Sequence, residues 1–184
     1  VICSNKNDIL TRFFESGKMV TQETIKTLSP SMDIQVSSNF ERQLFESSGR
    51  DSESINNIFK EFSKNNSYTF DKNIQNDLQS CYSTTAVSND ETINAIKEIK
   101  EKYHYLADPH TATGLHVLLE KEGNLPWVSL ACAHPAKFGD VIEKATGEPP
   151  VLPKDLSKFF DKEEKMTILD NNKDILKSLI LQNI

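Results

Sequence analysis

The chain has 184 residues, a formal net charge of −6 and a pI near 5.3. Hydrophobic residues make up 37% and charged residues 26%, which argues for a globular chain rather than a disordered one. No apolar run approaches the ~18 residues of a membrane span. The acidic balance, with only Arg12, Arg42 and Arg50 as arginines, argues against a nucleic-acid partner. Cys3, Cys81 and Cys132 lie far apart, which suits neither a disulfide framework nor a CxxC zinc site. A reducing cytoplasm is the expected compartment. The chain opens at Val1 with no charged stretch before an apolar one, so no signal peptide is expected. It reads as cut from something longer, starting in the middle of a strand.

In chain order, Val1–Ser4 is the end of a buried strand. Asn5–Asp8 are turn and cap formers, and Ile9, Leu10, Phe13 and Phe14 follow at helical spacing up to Gly17. Residues 18–36 read as irregular, with Ser29-Pro30-Ser31 as the clearest turn. Ser37–Asn39 cap a helix carrying Phe40, Leu44 and Phe45. Residues 49–80 are rich in Asn, Ser, Lys and Asp. Ile55, Ile58, Phe59 and Phe62 still repeat at helical spacing there, and a short helix follows around Ile74 and Leu78. This stretch reads as an inserted helical subdomain.

Tyr82–Val87 looks like a strand. Ser88-Asn-Asp-Glu91 is a capping box, and Ile93, Ile96 and Ile99 form the buried face of the helix behind it. Asp108-Pro109 places Asp at an N-cap and Pro at the first helical position. Trp127–Cys132 reads as a strand. Pro135 opens another helix, closed by Gly147. A short segment near Leu156–Phe160 and a last helix near Asp174–Leu181 follow. Helices and strands alternate, so the class is α/β. The expected organisation is 1–48 and 81–184 as parts of one large domain, with 49–80 inserted.

The four histidines, His104, His110, His116 and His134, make no metal pair. His110 and His116 are six apart and lie on different faces of a helix. Cys132 and His134 suggest a nucleophile and base, but two residues apart they do not aim at each other. No glycine-rich phosphate loop occurs. Three polar clusters stand at element ends: Asn5–Asp8; Ser29–Asp33 with Ser37–Arg42; and Asp108–Ala112 with Ala131–Pro135. In open α/β sheets, ligands sit at the carboxyl ends of strands, and helix N-termini favour anions. The clusters read equally as a site for a small anion or as helix caps.

At these clusters the sequence resembles threonine synthase, the bacterial and fungal branch of the fold type II pyridoxal-phosphate enzymes. The matching strings are Ser4–Leu10, Thr27–Ile34 with Ser37–Arg42, Val87–Thr92, Asp108–Ala112 with Gly114, and Ala133–Phe138. They follow the family's order to about residue 155.

The resemblance implies the C-terminal part of a fold type II large domain, a mixed or parallel sheet flanked by helices with a mainly helical insertion. The implied cofactor is pyridoxal 5′-phosphate (PLP). The implied activity is a carbon–oxygen lyase reaction turning O-phospho-L-homoserine and water into L-threonine and phosphate. The family's Schiff-base lysine and its Gly/Asn phosphate loop lie upstream of the stretch matched by Val1. No catalytic residue is therefore expected in this chain, and the missing N-terminal part is its implied partner. A phosphate dianion suits Arg and Ser/Asn donors, which makes Ser29, Ser31, Asn39 and Arg42 the substrate-binding candidates. Arg42 pairing with a nearby carboxylate is the other reading. Cys132 stands where the family commonly has Thr facing the pyridine nitrogen, and is the cofactor-binding candidate. The alternative function is an inactive stand-alone fragment, or a small-anion binding module without the cofactor lysine.

Overall fold

A computed structural model describes residues 1–123, 126–159 and 162–183. Strand β1 (Ile2–Ser4) runs parallel to β4 (Thr84–Ala86), with Ile2 opposite Thr84 and Ser4 opposite Ala86. Each strand feeds a helix from its carboxyl end. β1 leads through Asn5–Asp8 into α1 (Ile9–Ser16), and β4 leads through Val87 and Ser88 into α5 (Asn89–Tyr103). This is the α/β element expected from the alternation of strands and helices.

Local chemistry sets the helix ends. Gly17, at φ +72°, closes α1 by donating its N–H to the Phe13 carbonyl at 2.7 Å. Ser88 and Glu91 form the anticipated capping box: the Ser88 hydroxyl accepts the Glu91 N–H, and the Glu91 carboxylate accepts the Ser88 N–H. The Ser88 hydroxyl and amide together hold the Glu91 carboxyl below its ordinary range.

Helix α1 buries Ile9, Leu10, Phe13 and Phe14 in a core shared with α2 (Phe40–Ser47), α3 (Ser52–Asn65) and α4 (Lys72–Cys81). Phe13 packs against Phe14, Phe40 and Phe70 with ring centroids 5.4, 5.8 and 4.7 Å away. Residues 49–80 therefore contribute Ile55, Ile58, Phe62, Phe70 and Leu78 to the same core as α1. They also supply β3 (Ser67–Thr69), which pairs antiparallel with β2 (Lys18–Val20). The expected irregular stretch 18–36 therefore opens with a strand. A three-residue strand is too short to show alternation, and its partner lies far downstream.

A second core joins α5 to α6 (Pro109–Leu119) and α7 (Gly139–Thr146) through Ala95, Ile96, Ala112, Ile142 and Ala145. Pro135–Phe138 is a 3-10 turn leading into α7, and Gly147 caps that helix.

The expected strand at Trp127–Cys132 is not formed. Residues 126–132 pair with no strand among the described residues, and Val128 and Leu130 are 81% and 80% exposed. A strand exists through ladder bonds to a neighbour, and here side-chain contacts from α6 hold the segment instead.

Residues Val1–Val151 form one compact unit and Leu152–Ile184 another, a boundary inside the anticipated 81–184 segment. The second unit contains α8 (Lys154–Ser157) and α9 (Lys173–Gln182). The Asn172 side chain caps α9 by accepting the N–H groups of Asp174 and Ile175. The expected Leu156–Phe160 segment overlaps α8, and its end at Phe160 lies outside the described residues. Among the described residues, no helix is long and apolar enough to cross a membrane.

Candidate functional site

Parts of the three polar clusters, Asn5 with Asn7, Ser29–Asp33 and Asp108–Thr111, are joined by hydrogen bonds beyond the end of β1, while Ser37–Arg42 lies apart on α2. Asn5 and Asn7, in the turn after β1, hold the 25–33 loop there. Asn7 forms a two-way bridge to Ile25, donating to its carbonyl and accepting its N–H, both at 2.8 Å. Asp33 Oδ1 accepts from Asn5 Nδ2 (2.8 Å), Asn7 Nδ2 (3.0 Å) and the Thr27 hydroxyl (2.6 Å). Asp33 Oδ2 accepts the Thr27 N–H at 3.0 Å. From the β4 side, Asn89 Oδ1 accepts the Leu28 N–H at 3.3 Å. Burying these groups without partners would be costly, and the loop satisfies them through one another.

The loop is joined to α6 through Ser31, whose backbone N–H donates to His110 Nε2 at 3.1 Å. His110 is buried, with Nδ1 3.1 Å from Asp108 Oδ1 and Phe138 against its ring at 4.8 Å. Asp108 is the hub of this corner. It is 1% exposed and caps α6 by accepting the N–H groups of His110 and Thr111. It also accepts the Thr111 hydroxyl and, at 3.1 Å, the Ala133 N–H. Burial by itself would raise the Asp108 pKa. The bonds from the Thr111 hydroxyl, the His110 and Ala133 amides and the His110 ring outweigh it, so the carboxyl stays below its ordinary value. Thr111 extends the network outward by accepting the Cys132 N–H at 2.8 Å.

These bonds build two walls of a cavity of about 570 Å³, with Ser31 and Met32 on one side and Trp127 to Cys132 on the other. Gly114 lies against the second wall. A Cβ at that position would lie 2.5 Å from the Ser129 hydroxyl and 3.8 Å from its Cβ, so glycine leaves that hydroxyl its place against α6, and a larger residue would make it rotate away.

The structure distributes the sequence candidates as follows. Cys132 is exposed at the cavity, with Sγ 3.6 Å from the Leu130 carbonyl. Ser31 lines the same cavity. Ser29 is buried, and its hydroxyl accepts from Asn5 at 3.0 Å. Asn39 and Arg42 lie on the exposed start of α2, with Arg42 Nη2 donating to Asn39 Oδ1 at 2.8 Å. Arg42 lines a separate hollow with Glu41 and Glu46, yet forms no ion pair among the described residues. His134 Nδ1 accepts the Ala136 N–H at 3.1 Å and caps the 3-10 turn, so it is not directed at Cys132. Among the described residues, no cluster of His, Cys, Asp or Glu is arranged to hold a metal ion.

His110 belongs to one of the three polar clusters of the sequence but is not among the expected site residues, and the structure makes it the link between two of those clusters. The available signal was an N-cap Asp two positions before a histidine, which places a carboxylate beside its Nδ1.

A parallel strand pair in which each strand leads from its carboxyl end into a helix is part of an open α/β domain. The comparisons specify which. The sequence family described as threonine synthase, C-terminal, matches residues 111–180. Threonine synthase from Pseudomonas aeruginosa is 38% identical over 175 residues, covering 93% of this chain and 37% of the relative. The crystal structure of a PLP-bound threonine synthase from Brucella melitensis superposes with a TM-score of 0.86 at 38% identity, covering 98% of this chain and 39% of that one. The yeast enzyme's structure matches with a TM-score of 0.85 at 34% identity, covering 100% and 42%. By sequence and by fold, the chain corresponds to the C-terminal portion of a threonine synthase. It spans about two-fifths of the length of the relatives it matches.

Proposed function

We propose that this chain is part of an enzyme converting O-phospho-L-homoserine and water to L-threonine and phosphate. In this reading the enzyme is a PLP-dependent carbon–oxygen lyase of fold type II, acting in the cytoplasm. The observation that supports it most is the convergence on one cavity of two stretches that carry the family resemblance, the Ser29–Asp33 turn through Ser31 and Met32 and the start of α6 through His110 and Gly114, with Cys132 beside them.

The cavity suits the ring half of the cofactor. Val117, Trp127 and Leu130 offer apolar walls to a flat heteroaromatic ring, and Cys132 offers a thiol to its nitrogen. Among the described residues, no Lys or Arg lines the cavity. The Schiff-base lysine and the holder of the cofactor's phosphate therefore fall to the N-terminal part, this chain's partner in the reading. When bound, PLP draws electrons from the substrate's carbon skeleton, so that protons at Cα and Cβ can be removed.

This chain's own share is shape and binding. A thiol is a weak hydrogen-bond donor and supplies no countercharge to the ring nitrogen. Ser31 offers a hydroxyl at the cavity rim. Arg42, an exposed cation that forms no ion pair among the described residues, offers charge to the substrate's phosphate beside Asn39. Ser29 acts one step behind, holding Asn5.

The test is a chimera of this chain with the N-terminal part of the Pseudomonas aeruginosa threonine synthase. With PLP and O-phospho-L-homoserine, it should release threonine and phosphate in equal amounts, while the 184-residue chain alone should release neither. A folded, PLP-loaded chimera that releases neither product would overturn the reading in favour of an inactive or merely anion-binding module.

A further inference from the structure

Two buried side chains, Asp108 and His110, connect in line to the backbone of the exposed Ser31. His110 bridges two elements that are remote in sequence, and both of its ring nitrogens are engaged. The Ser31 backbone N–H can only donate, so His110 Nε2 must present its lone pair. The ring proton then sits on Nδ1, where it points to Asp108 Oδ1 at 3.1 Å. The Asp108 carboxylate is itself held by the amides at the start of α6, so it cannot swing away from the ring. Phe138 against the imidazole limits rotation about the ring axis.

We propose that His110 is a positioning residue, locked as the neutral Nδ1–H tautomer, that sets the Ser31–Met32 turn at the mouth of the cavity. This role deepens the functional reading above and rests on it for its link to substrate. With its Nε2 lone pair committed to a backbone amide, His110 does not exchange protons with a ligand. It transmits the rigidity of the α6 cap to the opposite wall of the cavity. Asp108 holds the other wall by the same means, through Thr111 to Cys132. Both sides of the site are thereby referred to one carboxylate.

Two substitutions separate this role from simple packing. His110→Asn keeps a donor near the Nδ1 position but places nothing at Nε2, which releases Ser31. His110→Gln places an amide oxygen near the Nε2 position and can still receive the Ser31 N–H. In the chimera, His110→Asn should raise KM for O-phospho-L-homoserine about tenfold with kcat changed less, and His110→Gln should recover most of that loss.

The tautomer is measured independently of any reaction. In the full chain labelled with 15N at histidine, the His110 signals, assigned by their loss in His110→Gln, should show a protonated Nδ1 and a pyridine-type Nε2. An Nε2–H tautomer, or averaging between the two, would overturn the proposal, as would wild-type KM in His110→Asn. A chimera without activity would count against the functional reading and leave the tautomer measurement to decide this one.

Discussion

The Thr111 hydroxyl accepts the backbone N–H of Cys132 at 2.8 Å while donating its own proton to Asp108. One side chain thus ties the cavity's outer segment to the buried cap of α6. Thr111→Val preserves shape but removes both bonds, leaving a buried carboxylate short of a donor. It should cost about 2–3 kcal/mol in urea unfolding and speed amide exchange at Cys132, whereas Thr111→Ser should stay within about 1 kcal/mol of the native chain. Equal losses in both variants would show that the methyl group, not the hydroxyl, is what matters.

Gly114 and Ser129 should be energetically coupled. Gly114→Ala improves helix propensity by about 1 kcal/mol, but the added carbon would sit 2.5 Å from the Ser129 hydroxyl. Alone, the substitution should force the Ser129 hydroxyl into another rotamer, offsetting part of the propensity gain. Combined with Ser129→Ala, it should gain stability relative to Ser129→Ala alone. A double-mutant cycle with no coupling would contradict the close approach.

Asp33 gathers three side-chain donors from Asn5, Asn7 and Thr27. Asp33→Ala removes their shared acceptor, leaves Asn5 bonded to Ser29 and Asn7 to Ile25, and should lower stability by about 1–2 kcal/mol. Limited trypsin digestion should then cut sooner after Lys26, which is exposed on the loop that Asp33 anchors. Unchanged cleavage would mean that the loop is held elsewhere.

Asp108 makes stability depend on acid. Its folded pKa lies below the ordinary value of 3.8, so it contributes stability at pH above that value. The contribution is lost as the pH falls through the folded pKa, because the protonated carboxyl can no longer accept all its bonds. Unfolding free energy measured between about pH 6 and 2 should fall more steeply for the native chain than for Asp108→Asn. Parallel profiles would assign the acid sensitivity to other carboxylates.

For the site residues, the chimera gives the readout. Arg42→Ala should reduce kcat/KM by about 2 kcal/mol with little change in Tm, as expected for a lost charge-assisted contact to phosphate. Cys132→Thr should keep most of the activity, since a hydroxyl replaces a weaker donor at the ring nitrogen. Intact activity with a lowered Tm in Arg42→Ala would make that arginine structural. A dead Cys132→Thr would remove the cofactor-nitrogen assignment.

Signals carried by a few adjacent residues were readable directly from the sequence. The Ser88–Glu91 box, the Asp108-Pro109 start and the Gly17 stop are decided by side chains bonding to amides in the same turn. The ordered Ser-Pro-Ser-Met-Asp and Asp-Pro-His-Thr-Ala strings likewise pointed to the family.

Features that depend on distant partners were decided by the tertiary structure. Strand β2 exists because β3 lies beside it, and residues 126–132 have no ladder among the described residues although their composition suits one. His110 became a bridge only when the fold brought Ser31 to it. The four substrate candidates were separated, Ser31 to the cavity, Ser29 to the buried network, Asn39 and Arg42 to the surface of α2. Capping is a contest among neighbours along the chain, whereas a ladder bond or a bridging histidine needs a partner whose arrival depends on the packing of everything between.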